Sequence, residues 1–243
     1  MWKLLFDTGY IFSCLIPCKT WRQHFRDVTL FGYGDKLMTL YAKFPELKKQ
    51  HMQLCKGGGS LAFIFDNKIV YKIRKHNANT IHPRISAEKK ITDALRPFCK
   101  VKIPQIEILT IGKYVFYKQI FIPGKLLVKM PLRRITKYMD DLTTQLANII
   151  HSVYIADPQE LLEFKSTKKN GGWVNTDMCS NILINPKTMQ ITGIIDWEWV
   201  SWTDITVAFY GLYKVSHKMT KSGIGPATQK KYIQMSEQNA FNI

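Results

Sequence analysis

The sequence predicts an α+β chain in two parts, an antiparallel sheet with one helix followed by a mainly helical half. Three observations predict it. Short apolar runs separated by tight turns crowd residues 52–120. A 3.6-residue apolar periodicity then starts at Leu142. A second apolar hairpin, Ile182–Ile184 with Ile191–Ile195, follows a polar, glycine-bearing loop. The implied organisation is an N-terminal helical extension over 1–50, an N-lobe over 51–120 and a C-lobe over 121–243.

Taken in order, Trp21, Phe25, Val28 and Phe31 fall at helical spacing, and Leu37, Leu40, Tyr41 and Phe44 do so again before Pro45. Gly32 and Gly34 punctuate the two runs. Met52–Cys55, Leu61–Phe65 and Ile69–Ile73 read as three antiparallel strands. The turn Lys56-Gly57-Gly58-Gly59-Ser60 joins the first pair and Asp66-Asn67-Lys68 the second. A helix over Ser86–Leu95 is closed by Pro97; its apolar stripe is Ala87, Ile91, Ala94 and Leu95, with Glu88 beside it. Pro104–Thr110 and Tyr114–Ile120 are two more strands about Gly112-Lys113, and Phe121-Ile122-Pro123-Gly124 breaks the sheet as a connector. Leu142, Leu146, Ile149, Ile150 and Val153 form one face of a helix. Lys165–Gly172 reads as a loop, and Asn185-Pro186-Lys187 turns the late hairpin.

Composition narrows the partners. Of 243 residues, 46% are hydrophobic and 22% charged, which excludes a disordered or collagen-like chain. No apolar run is long enough to span a bilayer. The 35 Lys and Arg against 18 Asp and Glu give +17, and the stretch 67–137 alone holds 17 basic residues against three acids. Such a surface favours anionic partners and disfavours a polycationic substrate. No recognition helix, zinc module or RNA-binding aromatic signature accompanies the charge, so nucleic acid is the weaker reading. Five scattered cysteines, without metal-ligand spacing, suit reduced thiols in the cytoplasm. Asp7 interrupts the apolar N-terminal stretch, which argues against a secretory leader. The six histidines form no ligand-spaced set, and Trp197, Trp199 and Trp202 read as core and hinge packing.

The chemistry concentrates at the late hairpin. Its two open ends carry Asn181 and Asp196, which therefore face one space. An amide and a carboxylate so placed are hard oxygen ligands of the kind Mg²⁺ takes when phosphates complete its shell. Asp177 sits where a base could reach a nucleophilic hydroxyl. Upstream, Gly57, Gly58, Gly59 and Ser60 offer backbone N–H groups to a phosphate, although a glycine turn is more often only a hairpin. Lys72 lies in mid-strand, either as a surface lysine or as a cation paired by Glu88 on the next helix.

The order glycine turn, strand lysine, helix glutamate, connector, helix, Asp, Asn and strand-end Asp resembles the aminoglycoside phosphotransferase and choline kinase family, small-molecule kinases of the protein-kinase-like fold. The match runs from about Met52 to Trp202 and is sharpest over Asn175–Ile184 and over Gly193-Ile-Ile-Asp-Trp-Glu198. The resemblance implies a bilobal fold, ATP and Mg²⁺, and transfer of a phosphoryl group to a hydroxyl. It gives Lys72 the α/β-phosphates and Glu88 the positioning of Lys72. Asp177 becomes the catalytic carboxylate, and Asn181 and Asp196 the metal ligands. Tyr117–Leu126 resembles the family's hinge, so Gln119 and Phe121 would border adenine. The chain departs from the pattern at Asn175, where the family has His, and between Asp177 and Asn181, where three residues stand instead of four. A gapless alignment on Asn181 would put Thr176 at the catalytic position. The stretch after Trp202 is short for a family whose C-terminal helices build much of the acceptor pocket. The implied acceptor is a neutral or anionic small molecule rather than an aminoglycoside, with a protein acceptor left open. The alternative is a pseudokinase that binds nucleotide or a partner without turnover.

Overall fold

The computed structural model describes residues 33–57, 59–75, 77–165, 171–212, 217–239 and 241. The Trp21–Phe31 run, Cys14, Cys18 and Gly58 lie outside them. The chain divides into two compact units, the first ending at residue 81 and resuming over 107–119, the second formed by 82–106 and 120–243.

The first unit is a sheet covered by one helix. The helix α1 (Tyr33–Lys43) follows from the Leu37, Leu40, Tyr41 periodicity, and a 3-10 turn at Pro45–Lys49 ends the run. The strands β1 (Met52–Lys56), β2 (Ser60–Phe65), β3 (Ile69–Arg74), β4 (Ile106–Ile111) and β5 (Tyr114–Ile120) form one sheet in the order β1-β2-β3-β5-β4. β1–β2 and β2–β3 are antiparallel hairpins. Asp66 and Asn67 turn the second hairpin at φ 48° and 52°, the left-handed pair that a two-residue turn needs and that short polar side chains tolerate. Leu61, Phe63 and Phe65 of β2, with Tyr71 and Ile73 of β3, pack into one core with Leu40, Leu47 and Phe116. The period-2 alternation puts Lys72 on the opposite face, where it stands half-buried across from Ala62.

The second unit holds the helix α2 (Pro83–Leu95), the short strand β6 (Lys125–Leu126), and the helices α3 (Leu132–Lys137) and α4 (Met139–Tyr154). After them come β7 (Gly172–Asn175), β8 (Ile182–Ile184), β9 (Ile191–Ile194) and β10 (Val200–Thr203). The helices α5 (Thr206–Gly211), α6 (His217–Ser222) and α7 (Ile224–Glu237) follow. α2 starts three residues before the sequence reading placed it. Pro83 is preorganised for a first helical turn, and the His82 imidazole accepts the Arg84 N–H as its cap. The predicted face of α4 is the observed one: Leu142, Leu146, Ile149, Ile150 and Val153 are all buried. The late hairpin is wider than predicted, because β6 adds to β8 on the far side from β9. The segment 121–126 is therefore a connector that becomes an edge strand. Gly172 closes the predicted loop but opens β7, which pairs antiparallel with β10.

Candidate active site

In the second unit, β7 ends in Asn175 and β8 begins at Ile182, so the six residues 176–181 must cross from one sheet to the other. The crossing is pinned along its length. Asn175 is buried, and its side-chain Oδ1 accepts the backbone N–H of Asp177 at 3.0 Å. Thr176 is tied to Trp199, whose carbonyl accepts both the Thr176 N–H (3.1 Å) and its hydroxyl (2.9 Å). The Cys179 N–H reaches the carbonyl of Gly211 at 3.3 Å. Gly211 is required there, since a Cβ at this position would stand 2.7 Å from the Thr176 carbonyl oxygen.

The carboxylate of Asp177 is held by two residues of the same loop. The Asn181 amide donates from Nδ2 to Asp177 Oδ2 at 3.2 Å and to the Asp177 carbonyl at 2.8 Å. The Ser180 hydroxyl donates to Asp177 Oδ1 at 3.0 Å. With both its hydrogens directed at Asp177, the Asn181 amide keeps Oδ1 as the atom available to a cation. The Asn181 carbonyl accepts the Ile195 N–H at 3.0 Å, which places Asp196 one residue beyond the paired position. Asp196 has a left-handed backbone, φ 61°, that turns the chain out of β9. Cys179 lies buried behind the loop, and burial together with the Asp177 charge pushes its thiol up to about 11.

Glu88 has a role that its place on the helix did not suggest. It lies in the buried face of α2 rather than beside it, 1% exposed, and its Oε1 accepts the backbone N–H of Trp197 at 2.9 Å. Trp197 is itself fully buried, with its indole N–H on the carbonyl of Ile194. The segment that carries Asp196 is thereby anchored on both sides, by Asn181 before it and by Glu88 after it. Gly193, within the motif read from sequence, is fixed by crowding. A Cβ there would meet Ile122 Cγ2 and the Lys102 carbonyl, each at 2.6 Å. Trp197 is core, as read; Trp199 is 44% exposed, with the Arg84 guanidinium 4.1 Å above its ring.

The remaining residues of the sequence reading belong to the first unit or its border. The Gly57 N–H is bonded to the Ser60 carbonyl (3.0 Å) across the end of the first hairpin, and the Gly59 carbonyl accepts the Lys75 N–H (3.0 Å), which extends the pairing of β2 with β3. A Cβ on Gly59 would press on the Arg74 guanidinium at 3.2 Å. Lys72 stands on β3 and Gln119 on β5, while Phe121 is the second residue after the chain passes into the second unit. Among the described residues no group of three or more His, Cys, Asp or Glu side chains is placed to hold a metal by itself. An amide–carboxylate pair with phosphates as further ligands is the arrangement these side chains fit. The signals for the Asn175 and Ser180 contacts were present as an Asn two residues before, and a Ser three residues after, Asp177.

No protein-family model matches this sequence, and no curated protein matches it. Solved structures do. A mutant of aminoglycoside 2′-phosphotransferase-IIIa in its GDP complex superposes with a TM-score of 0.58 at 14% identity, covering 85% of this chain and 92% of that one. The streptomycin–ATP ternary complex of APH(2″)-IIa gives 0.59 at 14% identity, covering 83% of each chain. The macrolide 2′-phosphotransferase of Brachybacterium faecium gives 0.57 at 12%, covering 82% of each. The chain has the protein-kinase-like fold of the aminoglycoside phosphotransferases. Within that fold, the loop before β8 presents an Asp to the Asn. The carboxylate held by Asn181 is that of Asp177, while the Thr176 side chain is turned to Trp199. Among the described residues no helix is long and apolar enough to cross a membrane.

Proposed function

We propose that this chain is a phosphotransferase that uses ATP and Mg²⁺ to phosphorylate a hydroxyl of a small neutral or anionic molecule. The observation that carries the reading is the orientation of Asn181, whose amide nitrogen grips the Asp177 carboxylate and whose oxygen is left for a cation. Asn181 Oδ1 and the Asp196 carboxylate would hold Mg²⁺, which when bound neutralises charge on the β- and γ-phosphates. Asp177 would orient the acceptor hydroxyl and take its proton. Lys72 would contact the α/β-phosphates, and the Gly57–Ser60 turn, Gln119 and Phe121 would border the nucleotide. Glu88 would hold the segment after Asp196 through the Trp197 N–H. Little covalent chemistry is asked of the protein in such a transfer; positioning and charge neutralisation are its share.

The net charge of +17 speaks against a polycationic acceptor such as the streptomycin of the APH(2″)-IIa complex. The described cysteines, Cys55, Cys99 and Cys179, are all free thiols, which suits the cytoplasm. The test is thermal stability with and without Mg·ATP, for the parent and for Asp196→Asn, a substitution that the left-handed backbone tolerates. Nucleotide at about 100 times Kd stabilises by roughly 2.7 kcal/mol, a rise of about 5–10 °C for a chain of this size. A rise in the parent that the variant loses supports the metal–nucleotide site. No rise in the parent refutes the proposal.

A further inference from the structure

The Asp177 carboxylate does not stand open in its loop. One oxygen receives the Asn181 amide, and the other receives a hydroxyl that the chain itself provides, Ser180 Oγ donating to Oδ1 at 3.0 Å. That contact is the one a general base makes with the hydroxyl it activates: an O–H aimed at a carboxylate oxygen within hydrogen-bonding reach. Ser180 is also half-buried rather than sealed, and it directly precedes Asn181, the residue to which the proposed function assigns the cation. Three properties of an acceptor therefore meet in this side chain. It is a primary alcohol, its proton points at the base, and its backbone neighbour is the cation ligand. The three-residue spacing matters, because it brings residue 180 back over residue 177 with the amide of residue 181 beside it.

We infer that Ser180 is a self-phosphorylation site. The inference rests on the phosphotransferase reading above. In the absence of a competing alcohol, Ser180 Oγ attacks the γ-phosphorus of the bound nucleoside triphosphate and its proton passes to the Asp177 carboxylate. The bond from γ-phosphorus to the β,γ-bridging oxygen breaks, and nucleoside diphosphate leaves. The product is phosphoserine. Its charge of about −1.5 to −2 lies against Asp177, so the modified chain no longer offers that carboxylate to another hydroxyl. A small-molecule acceptor would have to displace the Ser180 hydroxyl from Asp177 and would compete with the modification.

The experiment incubates the full chain with Mg·ATP, maps phosphate on its peptides by mass spectrometry, and follows the melting temperature with nucleotide in the same samples. The expected result is one phosphoryl group on Ser180, appearing at a first-order rate independent of protein concentration. Ser180→Thr should retain it as phosphothreonine, Ser180→Ala should abolish it, and Asp177→Asn should slow it roughly 100-fold or more. Melting separates the two ideas. A chain stabilised by Mg·ATP that gains no phosphate at Ser180 overturns the self-phosphorylation and leaves the phosphotransferase standing. A chain that nucleotide does not stabilise overturns both. Phosphate on Ser180 that forms at a rate proportional to protein concentration, or that survives Asp177→Asn undiminished, also overturns the inference.

Discussion

Replacing Glu88 tests what this side chain does for the fold. Its Oε1 accepts the Trp197 N–H at 2.9 Å, and both residues are buried. Glu88→Ala leaves that buried N–H without its acceptor, at a cost of about 1–3 kcal/mol. At about 2–4 °C per kcal/mol for a chain of this length, the melting temperature should fall by roughly 2–12 °C. Glu88→Gln keeps a carbonyl oxygen at the same reach and exchanges a charge-assisted bond for a neutral one, a loss of about 1 kcal/mol. The order parent, Gln, Ala in melting temperature, read by differential scanning calorimetry, is the signature of the Trp197 contact. If Ala melts within about 1 °C of the parent, the bond does not hold the segment after Asp196, and the anchoring argument fails.

Three further outcomes follow from the second unit. Gly211→Ala should displace the loop that carries Asp177. Its Cβ would lie 2.7 Å from the Thr176 carbonyl, and an ordinary contact of 3.4 Å needs about 0.7 Å of movement. A fall of about 1–3 kcal/mol in denaturant stability is expected, and an unchanged midpoint would contradict it. The Cys179 thiol, pushed up to about 11 by burial and then by Asp177, should resist alkylation at pH 8 in the native chain and react once it is unfolded. Equal labelling of folded and unfolded protein would refute that. His151 is held neutral, since burial lowers its imidazole below the ordinary value of 6.5, and its Nδ1 lies 3.0 Å from the Tyr232 hydroxyl. The unfolded chain takes up the proton first, so stability should decline as pH falls below 6.5 and level off beneath the folded value. His151→Gln should flatten that limb of the curve, and an unaltered limb would assign it to other groups.

Much of the fold was legible because its signals are local. The hairpins of the first unit announce themselves through alternation and through Asp66-Asn67, and the face of α4 through spacing alone. The beginning of α2 was equally local, in His82-Pro83, but an apolar stripe starting at Ala87 drew the boundary inward. What could not be read joins residues distant in sequence. The bond from Glu88 to Trp197 spans 109 positions, and the tryptophan contributes a backbone N–H that has no sequence identity at all. β6 is two residues long and owes its strand character to pairing with β8 rather than to its own composition. At the candidate site the positions of Asn181 and Asp196 followed from hairpin geometry. The reach of Asn175 and Ser180 to Asp177 depended on how the loop 176–181 folds back on itself.

The left-handed backbone of Asp196 bears on how this position can drift. Only glycine, asparagine and aspartate occupy such a conformation readily; other side chains cost about 1–2 kcal/mol there. Asparagine and glycine are each a single nucleotide change from aspartate, and neither asks the turn out of β9 to move. Drift can therefore remove the carboxylate while leaving the scaffold whole, and a related chain of this architecture that lacks the carboxylate should carry one of those two residues at position 196.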